Sequence, residues 1–347
     1  MVEVGFGICG CGGVSDVHAQ AIQSIPGARL IGFHNRTRSR AEQQAERYGV
    51  SWDLDLDRFL KRPGMDAVSI CTPSGTHGHL GMLAAQAGKH VMVEKPIEVN
   101  LEKGRRLIDT CRQSGVRLGV IFQSRFLPAV QSIRAVVQDG ALGKLLLGEA
   151  AVKWFRRPDY FQAGRWRATW ALDGGGALIN QAIHSIDLLQ YLVGRPKSVF
   201  GFAKNLLHDS IEAEDTAAAV IEFSCGALGM VQGATSLRPG FPRRLELFGE
   251  RGSVLLEGDE IARWDVPGMT DGKEGRTVAK SQSTDPFSAS MKSEIANHRR
   301  QFQDFIGAIR EDRPPLVDGE EGLKALEIVL AVYRSAREKK LVDFPPG

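Results

Sequence analysis

The sequence is poor in cysteine, in charge of either sign in excess and in long apolar runs, and each shortage removes a class of protein. Only 5 of the 347 residues are cysteine, at positions 9, 11, 71, 111 and 225. An odd number spread so thinly is no disulfide framework and suits a reducing compartment. The 44 basic and 41 acidic residues leave a formal net charge of +3, too little for a global field toward nucleic acid or an anionic membrane. No run of about 18 apolar residues offers a membrane span. The opening MVEVGFGICGCGG has no basic n-region and its apolar run is broken by glycine, so no secretory signal is expected there. Nothing repeats internally. Hydrophobic residues at 43% and charged residues at 24% exclude disorder, collagen and coiled coil as overall descriptions. At roughly 150 residues per domain the expectation is a two-domain cytoplasmic protein.

What is present first is alternation. Short β-rich runs at Val2–Ile8, Arg29–His34, Ala67–Cys71, His90–Glu94 and Leu118–Phe122 are separated by helical patterns at Val17–Ser24, Ser39–Tyr48, His77–Ala87 and Leu101–Ser114. That pattern predicts βαβ units and a parallel sheet. After residue 123 the pattern changes. Helices are expected near Ala129–Gln138 and Ile179–Leu192, followed by β runs at 199–204, 215–223, 227–234, 244–249 and 252–257, two pairs of them joined by hairpin signals. The fold class expected is therefore α/β: a parallel-sheet domain over 1–122, then an α+β domain over 123–347 with a large, mostly antiparallel sheet. Residues 267–290 read as a long loop. Helices near Ile295–Arg310 and Gly322–Glu338 close the chain, the last with Leu323, Leu326, Leu330 and Tyr333 on a core-facing stripe.

A literal G-x-G-x-x-G begins at Gly5, with Gly7 and Gly10, but too few residues precede it to form the strand that would present the loop. The segment Gly10-Cys11-Gly12-Gly13-Val14-Ser15 follows a strand and opens a helix, as a dinucleotide site requires. One glycine allows the tight turn, the next lets backbone approach a pyrophosphate, and the helix N-terminus faces its charge. At the end of the second strand, where a carboxylate would hold a ribose hydroxyl, stand Asn35, Arg36 and Arg38. Asparagine still accepts a hydroxyl hydrogen bond and the arginines suit a 2′-phosphate, which favours NADP, or dual use, over strict NAD. A solvated basic loop is the plain alternative. The Cys9-x-Cys11 pair lacks further ligands at metal spacing, so no metal site is expected.

The segment Val93-Glu94-Lys95-Pro96 ends a strand some eighty residues after the glycine loop. Together with Cys71-Thr72-Pro73-x-x-x-His77, Gly88-Lys89-His90-Val91 and Gly174-Gly175-Gly176-Ala177-Leu178, it resembles the Gfo/Idh/MocA oxidoreductases over almost the whole chain. The resemblance implies a Rossmann domain and a second domain whose sheet makes subunit contacts. It also implies an NAD(P) cofactor and oxidoreduction of sugars, cyclitols or their derivatives. On the residues themselves, a lysine at the carboxyl end of a Rossmann strand faces the crevice where ligands bind. The positive charge of an oxidised nicotinamide would ease its proton exchange. The resemblance adds Thr72, Pro73 and His77 to the cofactor set, a cis Lys95–Pro96 bond, and Glu94 as a group that orients the lysine or touches the cofactor ribose.

In the second domain Asn180, His184 and Asp187 are spaced i, i+4, i+7, which on an α-helix is one face. Histidine exchanges a hydroxyl proton at neutral pH. Asparagine cannot be a base, although the resemblance often has aspartate at the position of Asn180. Lys95 and His184 are therefore the catalytic candidates, and Asn180 orients substrate. Asp187 is expected to cap or pair within its helix. The stretch 153–170 carries three tryptophans and four arginines, which suit a sugar face and an anionic group. By resemblance Trp166 and Arg167 lie near the cofactor, and Arg156 or Arg157 meets substrate. Gln123 and Arg125 are expected to line the same cleft, and His298 to open a helix, with a surface role as the alternative.

These residues predict an NAD(P)-dependent dehydrogenase or reductase of a secondary alcohol on a carbohydrate-like small molecule. Two other classes compete with it: a redox-silent NAD(P)-binding regulator, and a glycoside hydrolase using bound NAD transiently. Neither a nucleic acid nor a membrane partner is expected. The antiparallel strands of 199–257 should bury a partly apolar sheet face between subunits, predicting a homodimer or homotetramer.

Overall fold

In the computed structural model, residues 3–162, 166–268 and 286–345 are described. The chain divides into two units, Met1–Gln123 with Ser283–Leu323, and Ser124–Gln282 with Lys324–Gly347. The passage near 122/123 is joined by a second one: Ser283–Leu323, which the sequence pattern assigns to the domain of 123–347, packs with the first unit. Most of the expected loop of 267–290 lies outside the described residues, as do Val2 of the first expected strand and three residues of the 153–170 stretch.

The first unit alternates β1 (Val4–Cys9), α1 (Gly13–Gln23), β2 (Ala28–His34), α2 (Arg38–Tyr48), β3 (Ser51–Asp53), α3 (Leu56–Leu60), β4 (Ala67–Ile70), α4 (His77–Gln86), β5 (His90–Val93), α5 (Leu101–Gln113) and β6 (Leu118–Val120). The strands form one parallel six-stranded sheet of order β3-β2-β1-β4-β5-β6, with its reversal between β1 and β4. β1, β4 and most of β5 are buried, which is why they read as continuous apolar runs rather than alternations. Gly5 and Gly7 lie inside β1, where a Cβ would sit 1.8 Å from Gly64 O and 2.6 Å from the Met65 side chain. They are packing glycines, so the first literal motif is a decoy.

In the second unit the order is α6 (Pro128–Gln138), β7 (Leu145–Lys153), α7 (Pro158–Gln162), a π-helical turn Ala177–Ala182, α8 (Ile183–Val193), β8 (Pro196–Lys204), β9 (Thr216–Phe223), β10 (Leu228–Ala234), β11 (Arg244–Gly249), β12 (Ser253–Glu257) and β13 (Glu260–Asp265). Helix α9 (Pro286–Arg310) follows and belongs to the first unit, α10 (Gly319–Glu338) starts there, and β14 (Val342–Asp343) ends the second. Eight strands make a sheet of order β13-β12-β11-β7-β10-β9-β8-β14. It is antiparallel except for the β7–β10 pair. The sequence pattern missed β7 because LLLGEAAVK does not alternate cleanly. Strands such as β11 and β12 do alternate, turning Leu245, Leu247, Val254 and Leu256 into the core.

Within the first unit, α9 packs on α1. Phe302 and Phe305 join Phe6, Ile22 and Phe33 in one buried cluster, with the Phe6 and Phe302 rings edge to face at 5.5 Å. Buried Gln301 stands in for a neighbouring strand beyond β6: its Nε2 donates to Val120 O at 2.7 Å and its Oε1 accepts from Phe122 N at 3.1 Å.

Candidate active site

The glycine loop of the first unit is built as a turn that only glycine can open. Gly10 has φ +106, and a Cβ there would lie 2.5 Å from Cys71 O. Its amide donates to His34 O at 2.8 Å, tying the loop to β2. Gly12 caps α1 in extended conformation with no side-chain cap, and a Cβ on Gly12 or Gly13 would meet nothing within 4 Å. An uncapped helix N-terminus with open space over its first glycines fits a pyrophosphate. Ser15 takes the place of a third glycine by burying itself and donating from Oγ to Gly12 O at 2.6 Å. Val14 stands beside it in the first turn of α1.

At the end of β2, Asn35 is half-buried, its amide donating to Asp53 O at 3.3 Å and its Nδ2 to Thr37 O at 3.4 Å. Arg36 and Arg38 are exposed. Arg38 pairs with Glu42 at 3.3 Å and lies 5.0 Å from the Trp52 ring centre. The nearest buried acid at this end of the sheet is Asp53, which pairs with His34 across β2 and β3. Arg58 binds it twice at 2.7 Å, and that guanidinium, aided by Arg62 at 3.2 Å, holds its carboxyl well below the usual range. An acidic group is present, and it is taken.

Beyond β4 the Thr72 hydroxyl faces Thr76 Oγ1 at 2.8 Å, and Thr76 donates to Pro73 O at 2.7 Å, folding a tight turn. His77 is buried, and its two ring nitrogens each lie 2.8 Å from a backbone carbonyl, Pro96 O and Thr72 O. It braces the turn after β4 against the segment after β5 rather than presenting a ring to cofactor, which corrects the cofactor role expected for it. Lys95 is half-buried, follows β5, and joins Pro96 through a cis peptide, as the resemblance implies.

Glu94 is buried. Its Oε2 accepts from the Lys95 amide at 3.1 Å and its Oε1 from His18 Nε2 at 2.8 Å. His298 Nε2 lies 3.8 Å from the same Oε1. His298 is 1% exposed and sits inside α9, so neither a helix-opening nor a surface role holds. Among the described residues these three side chains bring one donor atom each within 4.8 Å of one another, and the His18–Glu94 contact has hydrogen-bond length. With both oxygens engaged inside the protein, Glu94 orients the lysine backbone and has no reach to a ribose.

In the second unit the expected trio separates. Asn180 lies on the π-helical turn and His184 in the first turn of α8; both are half-buried, whereas Asp187 is fully buried. The wider π turn breaks the α spacing that would put all three on one face. Asp187 instead takes the Arg125 guanidinium in a two-pronged pair at 2.8 and 2.7 Å, under the Tyr191 ring. Arg125 is 0% exposed, so it is structural and leaves the substrate set. Gln123 is half-buried, with an Oε1 that has no hydrogen-bond partner among the described residues.

Asn180 belongs to a side-chain network that its identity alone does not announce. Its Nδ2 donates to both oxygens of buried Asp173, at 2.7 and 3.0 Å, and its Oδ1 accepts from Tyr160 OH at 3.1 Å. Gln181 Nε2 donates to Tyr160 OH at 2.9 Å and its Oε1 accepts from Arg156 at 2.7 Å. Arg167 lies 4.5 Å from the Tyr160 ring centre and 5.4 Å from that of half-buried Trp166. Burial raises the Tyr160 hydroxyl, and the two arginines oppose it. Arg157 is exposed and pairs loosely with Asp159, so of the two arginines Arg156 is the one in the network. Sequence reasoning missed Asp173, Tyr160 and Gln181. The position of Asp173 directly before the glycine run was the available signal.

The glycine run itself is held by Glu214, also missed. Its carboxylate accepts from Gly176 N at 2.9 Å, Leu178 N at 2.8 Å and Tyr333 OH at 2.8 Å. A Cβ on Gly176 would lie 1.8 Å from Glu214 O and one on Gly175 2.2 Å from the Tyr333 oxygen, so the close approach needs glycine. Burial pushes the Glu214 carboxyl up to about 7 against these donors.

Two family models match nearly the whole chain: an oxidoreductase-family NAD-binding Rossmann fold over 4–122 and an oxidoreductase-family C-terminal alpha/beta domain over 134–344, both of the Gfo/Idh/MocA group. The chain is 29% identical to the scyllo-inositol 2-dehydrogenase (NAD(+)) of Bacillus subtilis, over 96% of this chain and 94% of that one. It is 26% identical to the myo-inositol 2-dehydrogenase of Thermotoga maritima, over 97% of each. Among solved structures it is similar to the WlbA dehydrogenase of Bordetella pertussis in complex with NADH and UDP-GlcNAcA. The TM-score there is 0.88 at 31% identity, covering 99% of this chain and 100% of that one.

Proposed function

The chain belongs to the Gfo/Idh/MocA oxidoreductase family, and from that premise we propose that it is an NAD(P)-dependent dehydrogenase. Its substrate is a secondary alcohol on a sugar, cyclitol or sugar derivative. The observation that carries the reading is Lys95 at the carboxyl end of β5, in the same parallel sheet whose β1 ends in the open Gly10–Ser15 loop. The relatives that act on inositols and the similar structure holding a nucleotide-linked sugar acid support the substrate class.

The residues fit a dinucleotide: the uncapped α1 N-terminus and the space over Gly12 and Gly13 would take the pyrophosphate, with Gly10, Val14, Asn35, Thr72 and Pro73 from the same unit around the cofactor. When bound, the nicotinamide supplies a hydride acceptor or donor. The protein's own work is proton transfer and orientation. Lys95 and His184 exchange the substrate hydroxyl proton, Arg156 orients substrate polar groups, Asn180 acts through the Asp173 and Tyr160 side chains it holds, and Gln123 offers a buried acceptor. Asn35 in place of a carboxylate, with Arg36 exposed beside it, supports NADP alongside NAD.

Exposed Phe202, Val220, Leu228 and Phe248 lie on strands of the eight-stranded sheet. They support a homodimer or homotetramer formed through that sheet, and light scattering that gives a 37.9 kDa species at micromolar concentration argues against it. All five cysteines are free thiols, which supports the cytoplasm, and among the described residues no helix is long and apolar enough to cross a membrane.

The test of function is absorbance at 340 nm over a panel of inositols, sugars and nucleotide sugars with NAD+ and NADP+. Alcohol-dependent formation of reduced cofactor is the expected result. Cofactor binding with no turnover of any alcohol favours the redox-silent regulator. Glycoside cleavage without net change in cofactor favours the hydrolase.

A further inference from the structure

Resting on the reading of Lys95 as a proton-transfer group, we propose that His298 is a positioning residue for it: the ring pins the Glu94 carboxylate, and the carboxylate fixes the backbone from which Lys95 projects. The contacts form a chain across three distant parts of the sequence. Glu94 Oε2 holds the Lys95 amide at 3.1 Å, while Oε1 faces His18 Nε2 at 2.8 Å and His298 Nε2 at 3.8 Å. The rings of His18 and His298 lie 5.1 Å apart.

The hydrogen-bond partners of the two rings fix where the protons sit. A carboxylate only accepts, so His18 Nε2 donates to it, and His18 Nδ1 takes the Ser69 hydroxyl at 2.7 Å. His18 is complete as a neutral ring. His298 Nδ1 lies 2.8 Å from Glu294 O, a carbonyl that only an N–H satisfies. A neutral His298 would then aim the bare lone pair of Nε2 at a buried carboxylate. A second proton on Nε2 turns that repulsion into an ion pair in a site where His18, His298 and Glu94 are 0%, 1% and 7% exposed.

The electrostatics run the same way. Burial is the largest influence on all three groups. It lowers His18; at His298 the Glu94 carboxylate and the Glu294 carbonyl outweigh it and raise the ring; at Glu94 the two imidazoles outweigh it and hold the carboxyl well below its ordinary value. Among the described residues, the other titratable groups facing Glu94 include Cys71 after β4, whose buried thiol is raised well above the ordinary range, and His77 on α4, which also faces Lys95; Glu294 faces His298 from its own helix. One imidazolium therefore balances one carboxylate beside the lysine.

Acetic anhydride labelling of the full chain across pH, read at the Lys95 peptide by mass spectrometry, reports the ammonium-to-amine midpoint without any substrate. His298→Phe leaves the Glu94 charge uncompensated and should raise that midpoint by about half to one pH unit. Glu94→Gln removes the charge and should lower it. Because His298 acts through Glu94, His298→Phe should add nothing in the Glu94→Gln background. Should His298→Phe fail to fold, His298→Gln should give a shift of the same sign. A midpoint that ignores these changes, or one that moves in the double variant by the sum of the single shifts, overturns the proposal. Turnover that survives Lys95→Met sinks the catalytic reading of the lysine and leaves the labelling result untouched, so the two failures are distinct.

Discussion

The two units present functional groups in opposite ways. In the first, backbone makes the site: Gly10 turns, Gly12 and Gly13 stay open, and α1 offers its N-terminus. In the second, side chains hold one another: Arg156 to Gln181, Gln181 to Tyr160, Tyr160 to Asn180 and Asn180 to Asp173. A backbone site needs particular residues for steric reasons, so glycine spacing gives it away. A side-chain network is defined by partners that the linear order does not pair.

The largest expected effect tests whether each unit contributes one proton-transfer group. Lys95→Ala and His184→Ala should each cut kcat by about 10²–10⁴, with NADH affinity little changed for His184→Ala. Stopped-flow turnover with calorimetric NADH binding separates the two. Equal loss of cofactor affinity in both variants would contradict the division of labour.

That comparison also explains what could be read in advance. The parallel sheet and the glycine loop follow from local rules of periodicity and turn chemistry, and Lys95 stood out through the family resemblance of the Val93–Pro96 segment at a strand end. Arg125, His77 and His298 were misjudged for one reason: a polar residue near a motif looks the same in sequence whether it faces solvent or a buried partner. Arg125 sits 62 residues from Asp187, and His298 sits 204 residues from Glu94. Strand β7 was hidden because its burial does not alternate, and the π turn at Ala177–Ala182 broke a spacing argument that assumed an α-helix.

A second break point is the Arg125–Asp187 pair, buried on both sides. Removing one partner strands the other charge, so Asp187→Asn and Arg125→Met should each cost about 3–5 kcal/mol. Urea unfolding should show the loss while NADH affinity of the folded protein holds. An Arg125→Met protein of unchanged stability but raised substrate KM would return Arg125 to the substrate set.

Asn180→Asp sharpens the same comparison. The new carboxylate would replace an amide that donates to Asp173 at 2.7 Å, and two carboxylates at that distance share one proton. The variant should be less stable as pH rises above neutrality, and its pH–rate profile should gain no new essential base. A large rise in kcat with a new acidic limb would move the proton chemistry from His184 and Lys95 to this position.

Glu214 gives a pH signature confined to the second unit. Its carboxyl is raised from 4.5 to about 7, first by burial, so the folded chain binds that proton more tightly than the unfolded chain. Its contribution is fully present below the unfolded value and lost as pH rises through about 7. The lead in unfolding free energy of wild type over Glu214→Gln should shrink by about 3 kcal/mol between pH 4 and pH 8. A lead independent of pH would show that its three donors cancel the burial.

The smallest effect probes the cofactor end of the backbone-built site. The carboxylate that would repel a 2′-phosphate is absent from Asn35, and the buried acid nearby, Asp53, is neutralised by Arg58 and Arg62. Arg38 is drawn toward Glu42 and Trp52, which leaves Arg36 as the better placed cation. Arg36→Ala should therefore weaken NADPH about tenfold, about 1.4 kcal/mol, and leave NADH within twofold. Arg38→Ala should weaken NADPH less, because its guanidinium is already shared. Calorimetry with both reduced cofactors on both variants decides it. A strong NADH preference in wild type that Arg36→Ala leaves unchanged would mean the arginines form a solvated loop and that Asn35 alone meets the ribose.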